Sequence, residues 1–195
     1  MKLLHIDAGI TGEASVSRQL SAAVVQAARG AIPDVAVTRR DLDAAPIPHL
    51  GGQHLGTDEG AAVLQEFLDA DVVVIGAPMY NFSIPSQLKA WLDRVLVAGK
   101  TFRYSATGPE GLAGGKKVII ASARGNLYAP GTPLAAIDFH EPYLRAVFAF
   151  IGIDDITILR AEGVAFGPEQ REAAVQAALA AAPAIVAEVQ TALAA

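Results

Sequence analysis

Four short, almost unbroken runs of apolar residues constrain the fold of this chain more than any other feature. They are Leu3-Leu4-His5-Ile6, Val72-Val73-Val74-Ile75, Val118-Ile119-Ile120-Ala121 and Ile156-Thr157-Ile158-Leu159. A strand with one face in water alternates apolar and polar positions. A strand that is apolar at successive positions is buried on both faces, as in a parallel sheet covered by helices. Val35-Ala36-Val37-Thr38 is a weaker fifth run, expected at a sheet edge.

Helical periodicity fills the intervals. Ser15 to Arg29 carries Leu20, Val24 and Ala27 on one stripe, with Gly30 as the expected stop. Ile84 to Ala98 carries Leu88, Trp91, Leu92, Val95 and Leu96, and Phe139 to Phe150 forms a third pattern. The last helix is expected to start at Gly167-Pro168, with Val175, Leu179, Ala182 and Val186 on its stripe. Strand and helix alternate along all 195 residues without a linker, repeat or charge block. The expectation is therefore one α/β domain over residues 1–195. It would be a flavodoxin-like, doubly wound, five-stranded parallel sheet in the order 2-1-3-4-5, with helices on both faces. Asp43 to Asp58 and Thr101 to Gly115 read as long irregular loops.

Composition narrows the chemistry. The chain has no cysteine, which removes disulfide scaffolds, zinc–thiolate sites, thiolate nucleophiles and iron–sulfur clusters. A formal net charge of −5 argues against nucleic acid as the main partner. His5, His49, His54 and His140 are scattered, so no metal site is expected. Met1-Lys2 leads straight into the first apolar run, and the alanine-rich tail is interrupted by Gln176, Pro183 and Glu188. The expectation is a cytoplasmic protein with neither a secretory signal nor a membrane helix.

In an open α/β sheet, ligands bind beyond the carboxyl ends of the strands near the topological switch point. Three loops there carry chemistry. After strand one, Gly9 leads to Ser15-Val16-Ser17-Arg18 at a helix start, where hydroxyls and free amides favour an anion. Arg18 in a first helical turn is unfavourable unless a negative group lies beside it. The competing reading is a plain serine cap. After strand three, Met79-Tyr80-Asn81-Phe82 sets large side chains beside a polar one, either a wall for a flat aromatic ligand or a lid over core. After strand four, Val118 to Ala121, the segment Ala123-Arg124-Gly125-Asn126 suggests close backbone approach with φ > 0 at Gly125, or only a turn.

These segments resemble the FMN-dependent NADH-azoreductase and quinone reductase family of flavodoxin-like enzymes. Further matching segments are Gln87-Leu88-Lys89, Thr101-Phe102-Arg103-Tyr104, Gly108-Pro109-Glu110-Gly111-Leu112, Phe150-Ile151-Gly152-Ile153 and Ala161-Glu162-Gly163, in family order over nearly the whole chain. Gly9 stands where similar proteins have serine, and Ala123-Arg124-Gly125-Asn126 replaces Ser-Arg-Gly-Gly. The resemblance implies an FMN phosphate on Ser15, Val16 and Ser17 beside Gly9. It implies a flavin ring between Met79 to Phe82 and Ala123 to Asn126, and a homodimer with flavins at the interface. The activity implied is NAD(P)H-driven, ping-pong, two-electron reduction of quinones or azo compounds, the flavin and no protein residue carrying the chemistry. Phe102, Tyr104, Tyr128 and Phe150 are expected near the carboxyl edge as an acceptor pocket. Two alternatives remain at this level: a flavodoxin-type single-electron carrier and a flavin-free binding module on the same fold.

Overall fold

The computed structural model describes residues 1–54 and 57–193; of the expected single unit, residues 55, 56, 194 and 195 lie outside the described part. In chain order the elements are β1 (Lys2–Asp7), α1 (Val16–Ala31), β2 (Ala36–Asp41), α2 (Asp58–Asp69), β3 (Val72–Pro78), α3 (Ser86–Val95), β4 (Phe102–Ser105), β5 (Gly108–Gly111), β6 (Lys117–Ala123), α4 (Glu141–Phe150), β7 (Ile156–Ala161) and α5 (Pro168–Leu193). Five strands pair in parallel in the order β2-β1-β3-β6-β7. With β4 and β5 left out of the count, this is the order 2-1-3-4-5. Every residue of the central strands β3 and β6 is buried, which is why their sequences do not alternate.

Each face of the sheet has its own core. Leu4, Ile6, Val73 and Ile75 pack under Phe67 of α2, Trp91 of α3 and Phe148 of α4. Leu3, Val74, Ile119 and Leu159 pack under Leu20 and Val24 of α1 and Val186 of α5. α5 is long and apolar enough to cross a membrane by length and composition; here its Val175, Ala182 and Val189 are seated in this second core. The chain leaves β1 toward β2 on one side and returns to β3 on the other, so the switch point lies above the β1–β3 pair.

The structure departs from the sequence expectation in three places. α1 runs through Gly30 to Ala31, with Ile32 N–H bonding Ala28 O at 2.8 Å. Nothing in the local packing demands glycine at that point. The stretch read as a loop from Asp43 to Asp58 ends at a helix, α2, whose Thr57 hydroxyl accepts from Gly60 N–H and whose first turn holds Asp58 and Glu59. The stretch from Thr101 to Gly115 contains the antiparallel hairpin β4–β5, tied by Ala113 N–H to Ile151 O and by Leu112 N–H to Thr101 O.

Two glycines should therefore answer oppositely to alanine. At Gly30 the new methyl meets nothing within 4 Å inside a helix, so Gly30→Ala should stabilise by about 0.5–1 kcal/mol. At Gly111 the methyl would lie 2.2 Å from Gly152 N and 2.3 Å from Ile151 C. Those are backbone atoms that cannot rotate away, so Gly111→Ala should destabilise by at least about 1–3 kcal/mol. Thermal melts followed by circular dichroism will show Tm rising in the first variant and falling by several degrees in the second.

Candidate functional site

At the switch point the loop after β1 meets the start of α1. Ser15 and Ser17 are buried, their hydroxyls 3.1 Å apart. Ser15 occupies the cap position but its side chain does not cap, and the first helical bond is Gln19 N–H to Ser15 O. Among the described residues the amides of Val16, Ser17 and Arg18 have no acceptor. Such a set of amides, with the helix dipole behind it, favours an oxyanion. Gly9 faces the two hydroxyls so closely that a Cβ there would lie 2.3 Å from Ser15 Oγ. Glycine at this position keeps the cradle open, which fits a phosphate between these groups.

Arg18 finds its negative partner within the protein. Its two terminal nitrogens bond both Asp41 oxygens at 2.5 and 2.6 Å, and its Nε donates to Gly9 O at 2.8 Å. The Arg18 guanidinium and two loop amides hold the Asp41 carboxyl far below the usual carboxylate range. Arg18 thus braces the loop from below. Behind it, buried Asp7 accepts from Ser21 Oγ at 2.8 Å and from Arg39 at 2.9 Å, and His5 Nε2 lies 3.0 Å from Ser21 Oγ.

The loop after β3 makes a tight reversal. Tyr80 and Ser83 exchange backbone bonds of 3.0 and 3.1 Å, and the two residues between them have positive φ, +48° at Asn81 and +70° at Phe82. That is the left-handed pair of a type I′ turn, uncommon for a phenylalanine. Outside clamps hold it: Phe139 N–H donates to Phe82 O at 3.0 Å, and Ser83 Oγ donates to Phe139 O at 3.2 Å. Tyr80 OH accepts from Ile10 N–H at 3.2 Å, joining this loop to the one after β1. Met79 N–H donates to Ala123 O at 2.8 Å, joining it to the end of β6. The amides of Asn81 and Phe82 have no acceptor among the described residues.

The loop after β6 has its carbonyls committed. Arg124 O, Gly125 O and Asn126 O accept from Val164, Ala165 and Gly163 at 3.2, 3.0 and 3.3 Å. The amides of Gly125 and Asn126 have no acceptor among the described residues. Gly125 does not have positive φ, contrary to the sequence expectation; a Cβ there would meet Ala165 Cβ at 3.4 Å, an ordinary van der Waals contact, so the fold does not require glycine. Arg124, expected to face a ligand, is wholly buried and turned inward to Glu162, Asp138 and Glu141. Those three acids carry no recognisable spacing in sequence, and only the fold brings them together.

The four aromatic residues expected in one pocket divide into two groups. Tyr128 stands edge-on to exposed Phe82, centroids 6.4 Å apart. Phe102, Tyr104 and Phe150 form a separate cluster, with centroids 5.6 and 4.9 Å from Phe102. It hangs on the hairpin at the C-terminal ends of α3 and α4, and helices that return antiparallel to the strands end at the opposite edge of the sheet. A cleft of about 640 Å³ between α1 and β2 is lined by His5, Asp7, Arg18, Val25, Val37 and Arg39, among others. Its Asp7, Arg18, Arg39 and Asp41 are already paired with one another, so the donor-rich rim defines the candidate site.

Residues 1–186 match the model of the Flavodoxin_2 family, described as a flavodoxin-like fold. The chain belongs to this family. Among its relatives, a protein of Xanthomonas oryzae pv. oryzae named FMN-dependent NADH:quinone oxidoreductase is 59% identical over 186 residues, 92% of this chain and 94% of that protein. A Bradyrhizobium diazoefficiens protein named FMN-dependent NADH:quinone oxidoreductase 2 is 55% identical, covering 93% of this chain and 97% of the relative. A solved FMN-dependent NADH-azoreductase from Bacillus anthracis str. Ames Ancestor, in complex with FMN, superposes with TM-score 0.83 at 27% identity, covering 95% of this chain and 99% of that one.

Beneath the site of this flavodoxin-like chain, His140 is fully buried, and neither ring nitrogen completes a hydrogen bond among the described residues, although the Ala77 carbonyl lies close enough to favour a proton there. Burial, then the nearby Arg124 guanidinium, push its pKa down to about 4 against the pull of Glu141 and Asp138. The unfolded chain therefore binds a proton below about pH 6.5 that the folded chain refuses until about pH 4. Stability from this group is complete above pH 6.5 and falls as pH drops through that window, by up to about 3 kcal/mol. His140→Gln should remove this part of the decline. Chemical denaturation at pH 7 and pH 4.5 checks it: the loss between the two pH values should be smaller in the variant.

Proposed function

We propose that this chain is an FMN-dependent oxidoreductase passing two electrons from NADH or NADPH to quinones or azo compounds in alternating half-reactions. The observation that carries the reading is the convergence of three loops whose amides lack acceptors among the described residues: Val16 to Arg18, Asn81 with Phe82, and Gly125 with Asn126. The first set suits a phosphate. The other two suit the polar edge of a flat heterocycle, with Phe82 and Tyr128 supplying aromatic surface. The relatives described above are named for FMN, NADH and quinone, and a solved azoreductase of the same fold holds FMN.

When bound, FMN supplies hydride acceptance from the nicotinamide and delivery of two electrons to the acceptor. Ser15 and Ser17 hold the phosphate through hydroxyls, and Gly9 leaves it room. The backbone of Met79 to Phe82 and of Ala123 to Asn126 orients the ring and favours negative charge on its amide-facing edge. No protein acid is needed, since solvent protonates the products. The working unit in this reading is a cytoplasmic homodimer of single-domain subunits over residues 1–195, with no nucleic-acid or membrane partner. Phe102, Tyr104 and Phe150 lie away from their own chain's rim, and Tyr104 is 75% exposed. An exposed aromatic group of this kind serves well as the cover of a partner's slot and as a stacking surface for planar acceptors.

Replacing Ser17 by Asp puts a like charge into the phosphate cradle. FMN affinity should fall by at least about tenfold, the scale of one lost charge-assisted contact, whereas riboflavin, which has no phosphate, should bind Ser17→Asp as it binds the parent. Fluorescence-quenching titrations with both flavins decide this. Unchanged FMN affinity would place the phosphate elsewhere.

Tyr104→Ala should slow reoxidation by bulky quinones or azo dyes and spare flavin reduction by NADH. Stopped-flow absorbance separates the two half-reactions, and size-exclusion chromatography reports the assembly. A fully active monomer, or a variant slowed only in the NADH step, would refute the shared-pocket arrangement.

A further inference from the structure

We propose that Arg124 is a positioning residue whose guanidinium sets the separation of the loops after β3 and β6, and with it the width of the slot for a flavin ring. This rests on the site reading given above.

Arg124 is 0% exposed, unusual for a cation, and its side chain is surrounded by three acids from two segments, the start of α4 and the end of β7. Its Nη1 donates to Glu162 Oε1 at 3.0 Å, just beyond β7. Its Nη2 forms ion pairs without hydrogen-bond geometry, 3.0 Å from Asp138 Oδ2 before α4 and against Glu141 in the first turn of α4. Its Nε donates to Ser122 Oγ at 3.2 Å, fixing the start of its own side chain. Glu141 is shared with Arg160 on its far side, so it remains paired if Arg124 is lost. Asp138 and Glu162 have no second cation among the described residues.

Each of these two acids leads to one side of the slot. Glu162 Oε1 also accepts from Tyr128 N–H at 2.9 Å, placing the ring that stands edge-on to Phe82. The backbone of Arg124 itself carries the Gly125 and Asn126 amides. Asp138 Oδ1 caps α4 by accepting from His140 and Glu141 N–H at 3.0 and 3.2 Å. The residue between, Phe139, clamps the left-handed turn through Phe82 O and Ser83 Oγ. One planar cation thus joins the loop bearing one set of ring-facing amides to the clamp on the other. Among the described residues the loops meet directly at one backbone bond, Met79 N–H to Ala123 O. A lysine cannot replace it, because an ammonium on a flexible stem offers no rigid fork to aim at acids in different directions.

The phosphate cradle is built separately, on α1 and the Arg18–Asp41 pair. Ring binding and phosphate binding should therefore separate in the variants. Purified parent protein, Arg124→Lys, Asp138→Asn and Ser17→Asp would each be titrated with FMN and with riboflavin, and the absorption spectrum of the bound flavin recorded at saturation. Arg124→Lys should weaken both flavins by the same factor, about tenfold, the scale of losing a supporting contact behind a ligand. It should also blur the long-wavelength shoulder of the bound-flavin band, a change that lowered stability alone does not produce. Folded Arg124→Lys that binds both flavins as the parent does, with the same spectrum, overturns the proposal. So does a loss confined to FMN, which would assign Arg124 to the phosphate. If Arg124→Lys does not fold, Asp138→Asn must show the ring-side loss, and its failure to do so overturns the proposal equally. A parent protein that binds neither flavin overturns the functional reading itself, and this inference with it.

Discussion

Backbone hydrogen bonds between the loops after β6 and β7 take up the carbonyls of Arg124, Gly125 and Asn126. Because the peptide unit is planar, a carbonyl turned toward a neighbouring loop sends the following amide the other way. The loop after β7 therefore does more than close a connection. It decides that the rim of the sheet presents donors and not acceptors, and the same polarity recurs at α1, where helix geometry strands the amides of Val16 to Arg18. A rim of donors recognises phosphate and the electron-rich edge of a heterocycle, and it does so without a charged side chain at either place. This is why Arg18 and Arg124, which look like anion ligands in the sequence, can both be spent inside the protein.

The two arginines act on different parts of the rim, and the burial of each sets what it can do. Arg18 pairs with Asp41 at the end of an edge strand, and the bidentate pair holds the loop around Gly9 against α1. Arg124 is buried among acids, where a lone charge would cost several kcal/mol and the pairing offsets that cost without a large surplus. Such a network adds little to net stability, but it penalises any arrangement in which its members separate. That is the property needed beneath a strained turn. Two non-glycine residues in the left-handed region cost on the order of 1–3 kcal/mol each, and the Asn81–Phe82 turn keeps that conformation because Tyr80, Ser83 and Phe139 all hold it.

Much of the architecture was legible in the chain because a parallel sheet writes itself into sequence as consecutive apolar residues. Val72 to Ile75 and Val118 to Ala121 have no water-facing side, and their continuity identifies them as central strands. The edge strand was weaker for the same reason, since β2 exposes Ala36, Thr38 and Arg39. Helix α2 was missed within a glycine-rich approach, although Thr57, Asp58 and Glu59 form an ordinary helix start. The hairpin β4–β5 was missed because Phe102 to Gly111 has neither a strong strand period nor a standard turn pair. Ser15, Ser17, Asn81 and Gly125 stand out in the sequence as candidates because loop chemistry is local. The acids around Arg124 could not, because Asp138, Glu141 and Glu162 gain their meaning only when β6, α4 and β7 are placed side by side.

The same division explains why the outward-facing donors of the rim are mostly backbone. Side chains at the carboxyl edge are needed to hold loops whose shape is not guaranteed by regular pairing, and the residues best suited to that task are buried polar ones: Ser21, Asp7, Arg124 and Glu141. Amides, in contrast, are supplied by every residue except proline and become donors wherever a carbonyl is otherwise engaged. Substitutions that disturb the inward-facing acids and bases act on all the outward-facing amides together. The coupling runs from the buried network to the rim, and the exposed aromatic groups Phe82 and Phe139 sit at its last step, where the turn, its clamp and the ring-facing surface coincide.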